Sequence, residues 1–306
     1  MRNAFAEQLL EIAQNDERVI LLAGDIGFRI FDKFIEKLPD RFINCGIAEQ
    51  NMISVAAGLA SEGKVPVVYT IIPFLIMRAY EQIRVDLGIN SQSVILVGVG
   101  GGLAYDKLGS THHACEDIAL MRTIPNLEIF TPYDPTDVRN CLVQAYNSAL
   151  QFKNSSYIRL SKGGEQNLDN INKLSKNLTL INSSKIKNKL IILHGSIATK
   201  LLDYFNKNID HISILAISKF DDLTIQELIN HIEKMELASK IMFIEEHYQV
   251  GGLFETTAPK LLAIQKNFQI RNLCINHKYT FEILPHNDLI KLCGIDFNKV
   301  KEFFNS

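Results

Sequence analysis

Short runs of branched apolar residues, each followed by a stretch with helical spacing, constrain this chain more than any other feature. Residues 19–23, 65–70, 93–99 and 127–131 are dense in Val, Ile and Leu, and a turn-forming Gly, Asp or Pro follows most of them closely. Helical patterns occupy 49–62, 74–90, 115–122 and 135–150 between and after them. A strand that is apolar along its whole length must be buried on both faces. Alternation with helices is how a parallel sheet acquires that cover. The run 156–160 closes this first unit. From 166 to 188 the composition shifts to Asn, Lys, Ser and Gln, which reads as a linker carrying one short strand at 178–181. A second α/β unit follows, with strands at 190–194, 212–217 and 241–244 and a helix from about Gly252. The expected fold class is therefore α/β: two doubly wound domains with mostly parallel sheets, at 1–165 and 189–306.

The bulk properties exclude several function classes. Acids and bases are interspersed and the formal charge is only −2, so no basic groove for nucleic acid and no polybasic membrane anchor is expected. No apolar run reaches the length of a membrane span. The first residues read as an amphipathic helix without the apolar core of a signal peptide. Five cysteines are scattered with no pair at metal-ligand or redox spacing, which fits a reducing cytoplasm and gives no metal site.

The segment Phe42-Ile43-Asn44-Cys45-Gly46-Ile47-Ala48-Glu49-Gln50-Asn51-Met52 places one carboxylate where a short apolar run meets an amphipathic helix. A lone acid in a first helical turn is usually there for the macrodipole. Here the surrounding residues resemble the transketolase family of thiamine diphosphate enzymes, whose G-[IV]-A-E-Q segment carries the acid that binds N1′ of the cofactor's aminopyrimidine. A carboxyl group on N1′ favours the imino tautomer of the adjacent amine, which can then take the proton from the thiazolium C2. The resemblance makes Glu49 a catalytic and cofactor-binding residue and puts Ile47 beside the cofactor. It also matches Phe74 to the aromatic that stacks on the aminopyrimidine, a role suited to a flat apolar ring. Arg78 and Arg84 flank that helix. An anionic substrate, a partner chain and a solvated ion pair are all open to them.

A second specific match lies at 105–122, where Gly109-Ser110-Thr111-His112-His113 precedes Glu116-Asp117-Ile118-Ala119. The resemblance implies that His112 is catalytic and faces the sugar, as befits a group whose charge can change near neutrality. His113, replacing the family's usual Gln, would border the same site. The alternative of a metal pair at His112-His113 lacks further ligands at suitable spacing. Glu116 and Asp117 read as helix-start acids with a structural task. Arg159 falls at the C-terminal edge of the strand 156–160, where open sheets bind ligands. A guanidinium there suits a substrate anion, and equally an ion pair between the two units. The glycine run 98–102 follows a strand but lacks the spacing of a dinucleotide loop.

Two departures from the family bear on substrate. Leu108 stands where transketolases carry a sugar-reading Asp, and Gly100 where they commonly carry a histidine. A site that has lost polar groups favours sugars lacking the matching hydroxyls, so a donor or acceptor different from the central pentose phosphates is expected, such as a deoxy- or nucleotide-linked sugar. The layout matches the last two of the three transketolase domains. No Gly-Asp-Gly segment with its downstream Asn is found for Mg²⁺ and the diphosphate. The implied protein is the C-terminal, pyrimidine-binding subunit of a split transketolase-like transferase. Thiamine diphosphate would be shared at a subunit interface, Mg²⁺ held by an N-terminal diphosphate-binding partner, and two copies of each chain joined in an α2β2 assembly. Two other readings remain at this stage. One is a decarboxylating relative, either 1-deoxyxylulose 5-phosphate synthase-like or the β subunit of a 2-oxoacid dehydrogenase. The other is a non-catalytic scaffold.

Overall fold

A computed structural model describes residues 1–184, 188–206, 209, 211–235, 239–264 and 266–305. Residues 185–187 of the expected linker lie outside them. The chain forms two six-stranded sheets. The first contains β1 (Val19–Ala23), β2 (Phe42–Asn44), β3 (Val65–Ile71), β4 (Ile95–Val99), β5 (Glu128–Phe130) and β6 (Ser156–Leu160), ordered β2-β1-β3-β4-β6-β5 and parallel throughout. The second contains β7 (Asn172–Lys173), β8 (Leu178–Asn182), β9 (Lys189–His194), β10 (Ser213–Ile217), β11 (Lys240–Tyr248) and β12 (Gln269–Ile275), ordered β12-β11-β9-β10-β8-β7. Four of these are parallel, while β8 and β7 run antiparallel at one edge.

Alternation along each strand divides the core. Ile20, Leu22, Val68 and Leu96 point to one face of the first sheet and meet Met52 and Ile53 of the helix Glu49–Ser61. Their sequence neighbours Val19, Leu21, Val67 and Val97 point the other way. There they pack on Phe5 and Leu9 of Arg2–Asn15 and on Leu142 and Ala145 of Pro135–Gln151. The first of these clusters continues into the second sheet through Ile192, Leu215 and Phe243. The two sheets thus share apolar packing.

The structure differs from the sequence-based expectation at three points. The Asn- and Lys-rich stretch expected as a linker supplies a hairpin, β7 and β8, that completes the second sheet; its polar residues suit a short edge strand. The helix expected at 74–90 is divided, with wide π-helical turns at Phe74–Arg78 and Ile83–Ile89. Such turns commonly mark functional sites. Finally, β12 escaped the pattern because its alternating Gln269-Ile270-Arg271-Asn272 lacks an apolar run. No described helix is long and apolar enough to cross a membrane.

Asp134 joins the linker to the first unit. Its Oδ1 accepts the Asp137 N–H at 2.7 Å, capping the Pro135–Gln151 helix, and its Oδ2 accepts the Leu168 N–H at 3.0 Å. The side chain is fully buried. Asp134→Ala should therefore lower stability by about 2 kcal/mol, a cap plus a second buried bond. Urea unfolding of the purified chain measures this, and an unchanged midpoint would show that the cap contributes nothing.

Candidate functional site

Connections leave β1 and β3 in opposite directions across the first sheet, so the crevice at their C-terminal ends is the place where such sheets receive ligands. Glu49 reaches this edge as the first residue of the helix that follows β2. Asn44, at the end of β2, fixes the approach: its Oδ1 accepts the N–H of Asp25 at 3.2 Å and of Gly46 at 2.9 Å, while its Nδ2 donates to Asp25 Oδ1 at 3.1 Å. Phe74 arrives from β3 through Pro73.

The Glu49 residue is only 1% exposed. Arg78 Nη1 donates to its Oε2 at 2.7 Å. The same guanidinium lies over the Phe74 ring, 4.4 Å from its centroid, and Phe74 in turn meets the His112 ring edge-to-face at 5.1 Å. Tyr105 stands 6.0 Å from His112 on a further side. Glu49, Phe74 and His112, named separately from three stretches of sequence, are thus brought into one row, linked by an arginine whose role the sequence left open. Ile47, 76% exposed, and Leu108, 51% exposed, present apolar side chains to solvent.

His112 closes a 3₁₀ turn, with its Nδ1 and the Thr111 hydroxyl 3.0 Å apart. Burial moves its pKa down, favouring a neutral ring that can donate or accept. His113 is buried and its Nε2 has no hydrogen-bond partner among the described residues. Burial lowers its pKa too, with Glu246 pulling the other way.

For Arg159 the geometry corrects the expected substrate contact. Its Nε donates to Asp117 Oδ2 at 2.8 Å, and its Nη2 to the carbonyls of Ala114 and Glu246 at 3.0 Å each. Burial opposes the charge, but Asp117 more than offsets it, and the guanidinium is held protonated inside the protein. Its ion pair is therefore within the first unit, and it reaches the second only through the Glu246 carbonyl, so the pair between the two units that was the other expectation does not form either. Asp117 does begin a helix, but its carboxylate is wholly buried and also accepts the Tyr157 hydroxyl at 2.6 Å.

The glycine run has a packing explanation. Gly102 has φ +66°, and a Cβ there would lie 2.5 Å from Glu246. Leu103 N–H donates to Glu246 Oε1 at 2.8 Å, so the second unit's side chain lies directly on the loop's backbone. His286 Nε2 meets the same oxygen at 2.6 Å. In the other direction, Tyr248 N–H donates to the Cys115 carbonyl at 2.8 Å, while the Ser110 hydroxyl of the first unit donates to the Thr280 carbonyl of the second at 2.5 Å. The second unit therefore grips the His112 loop at both ends. Sequence reasoning missed Glu246 and His286 and gave Asp117 only a helix-start task; nothing in the sequence around Glu246 signals a partner some 140 residues earlier.

The adjacent acids of β11 point to opposite faces and are driven apart in acidity. Burial pushes Glu245 up to about 7, against the N–H groups of Leu253 and Phe254 and the Asn272 amide that it accepts. Burial would raise Glu246 too, but His286 chiefly holds it down at about 2.

A parallel sheet covered on both faces, with an acid, an aromatic and a histidine at its C-terminal edge, places the chain among α/β proteins whose sheets offer a ligand crevice there. The chain belongs to the transketolase pyrimidine-binding domain family, whose family model matches residues 1–165. It is 29% identical over 270 residues to a subunit of the apulose-4-phosphate transketolase of Phocaeicola vulgatus, covering 82% of this chain and 80% of that one. With the corresponding apulose-4-phosphate transketolase subunit of Actinobacillus succinogenes it is 38% identical over 161 residues, 52% of this chain and 50% of the other. Among solved structures, one described as a split gene transketolase, inactive beta4 tetramer, superposes with a TM-score of 0.80 at 25% identity. That match covers 99% of this chain and 96% of that one.

Glu246 generates a test in acid. Its folded pKa of about 2 lies below the ordinary 4.5, so the stability it contributes is present above 4.5 and is lost as pH falls toward 2. Glu246→Gln should therefore be less stable than the parent at pH 7 and lose less on acidification through that window. Unfolding midpoints taken across the range decide it; a constant difference between the two proteins at every pH contradicts the assignment.

Proposed function

We propose that this chain is the pyrimidine-binding subunit of a split, thiamine diphosphate-dependent transketolase-like transferase that moves a two-carbon ketol unit between sugars. The observation that carries this reading is the solvent-excluded Glu49 carboxylate joined through Arg78 to the Phe74 ring, in a domain belonging to this family. An aminopyrimidine needs an acid at one nitrogen and an apolar plane beneath it, and the two residues fit both needs. When bound, thiamine diphosphate supplies the carbanion chemistry. Glu49 holds a proton or a hydrogen bond at N1′. Phe74 orients the ring, and exposed Ile47 borders it on the side open to a partner.

His112 and His113 face the sugar. A neutral His112, pinned at Nδ1 by Thr111, presents Nε2 to a hydroxyl or carbonyl oxygen. Arg159 acts from behind as a positioning residue through the Ala114 carbonyl next to His113. The diphosphate and Mg²⁺ are assigned to an N-terminal partner subunit, with two copies of each chain in an α2β2 assembly. Relatives described as one subunit of a transketolase support such a division of labour. Five free thiols support a reducing, cytoplasmic setting. Exposed Leu108 supports a sugar other than the ordinary pentose phosphates, in keeping with relatives described by apulose 4-phosphate.

Glu49→Gln in the two-chain assembly should cut turnover by at least about 100-fold, the usual scale for removing an acid–base group, while circular dichroism stays unchanged. Retained turnover removes Glu49 from the chemistry. Xylulose 5-phosphate should be a poor donor for the wild-type assembly; rapid turnover of it in a steady-state assay would overturn the substrate assignment and leave the cofactor role standing.

A further inference from the structure

The two contacts assigned to the aminopyrimidine, a donor on Glu49 and a plane on Phe74, are both already made by one side chain of this protein. Arg78 Nη1 donates to Glu49 Oε2 at 2.7 Å, and its guanidinium carbon lies 4.4 Å from the centre of the Phe74 ring. A guanidinium is flat, carries N–H donors in its own plane and stacks on aromatic faces. In shape, and in donating an N–H to the acid as the ring protonated on N1′ does, it imitates the edge of the cofactor's pyrimidine. Its side chain is 43% exposed and that of Glu49 2%, so the arginine can leave into solvent whereas the acid cannot. The flexible stem rises from the π-helical turn Phe74–Arg78, which sets both residues four apart on one side.

We infer that Arg78 is a stand-in for the cofactor: it occupies the aminopyrimidine seat in the free chain and is displaced when thiamine diphosphate binds. This inference rests on the cofactor reading above. The physical need for a stand-in is plain. A carboxylate removed from water and left without a partner is costly, and a subunit that meets its cofactor only on assembly has to keep that group satisfied beforehand. The Arg78–Glu49 bond also opposes entry, because it must break first. The displaced guanidinium then stands at the mouth of the site, available to an anionic group on the incoming sugar or cofactor.

Two measurements, neither of which is turnover, test the inference. In the isolated full chain, Arg78→Met should lower Tm by a few degrees, since a buried acid loses its charged partner. Combining it with Glu49→Gln should restore most of that loss. In the assembly with the diphosphate-binding partner, calorimetric titration with thiamine diphosphate and Mg²⁺ should give a Kd about tenfold lower for Arg78→Met than for wild type, reflecting the charged bond that no longer has to be broken. Arg78→Lys, which keeps the charge but not the plane, should fall between. An unchanged Tm for Arg78→Met means that the pair does not form in the free chain and ends the proposal. Equal or weaker cofactor binding by Arg78→Met also ends it, because the arginine would then be helping the acid to hold the cofactor. Failure of the wild-type assembly to bind thiamine diphosphate at all is a different result: it removes the cofactor reading, and this inference with it.

Discussion

Arg159 cannot shed its proton, and burying it obliges the fold to surround it with acceptors. Those acceptors come from both halves of the chain: the Asp117 carboxylate and the Ala114 carbonyl from the first unit, and the Glu246 carbonyl from the second. A lost bond in such a network leaves a charge without compensation, so the halves are held in one arrangement. Gly102, Leu103, Cys115 and Ser110 then contact the second unit over a short distance along the chain. The loop that carries His112 and His113 lies between those contacts. The second sheet, which contributes no residue to the row of Glu49, Phe74 and His112, therefore determines where that histidine stands.

The row itself follows from the winding of the first sheet. Parallel strands with opposite exits at β1 and β3 leave a gap, and the residues that begin the next elements converge on it. Glu49 is kept dry by the helix it opens and is partnered by Arg78. Its burial, joined through Arg78 to the flat Phe74 ring, is what the proposed cofactor role rests on. Two neighbouring acids on β11 show how far local surroundings decide the state of a carboxyl group: Glu245 approaches neutrality near pH 7, and Glu246 stays charged into strong acid.

How much of this could be read from the sequence depends on the range of each interaction. The central strands were legible because Val19–Ala23 and Leu190–His194 are apolar at nearly every position, as burial on both faces demands. Glu49, Phe74 and His112 were legible through short motifs. The edge strands β2, β7 and β12 were not recognised as strands, since they are brief or polar and gain their pairing from neighbours. Arg159 read correctly as a residue at a sheet edge, yet the choice between a substrate anion and an internal pair rests on Asp117 and on a carbonyl 87 residues away. The glycine run was visible, but its reason was not: the side chain that fills the space over Gly102 comes from Glu246.

Gly252 shows a related constraint from the opposite side. A Cβ at this position would fall 2.2 Å from the carboxylate of Glu245, the group that receives the N–H of Leu253 as the helix starts. Natural recombination often shuffles α/β units as independent modules. Here the seam adds, to the apolar packing that the two sheets share, several places where backbone is laid against a side chain of the other unit. A foreign second unit transplanted onto this first one would have to bring its own acid to the place that Glu246 holds over Gly102 and Leu103, or the loop that carries His112 would lose that anchor. The two halves are therefore expected to vary as a matched pair.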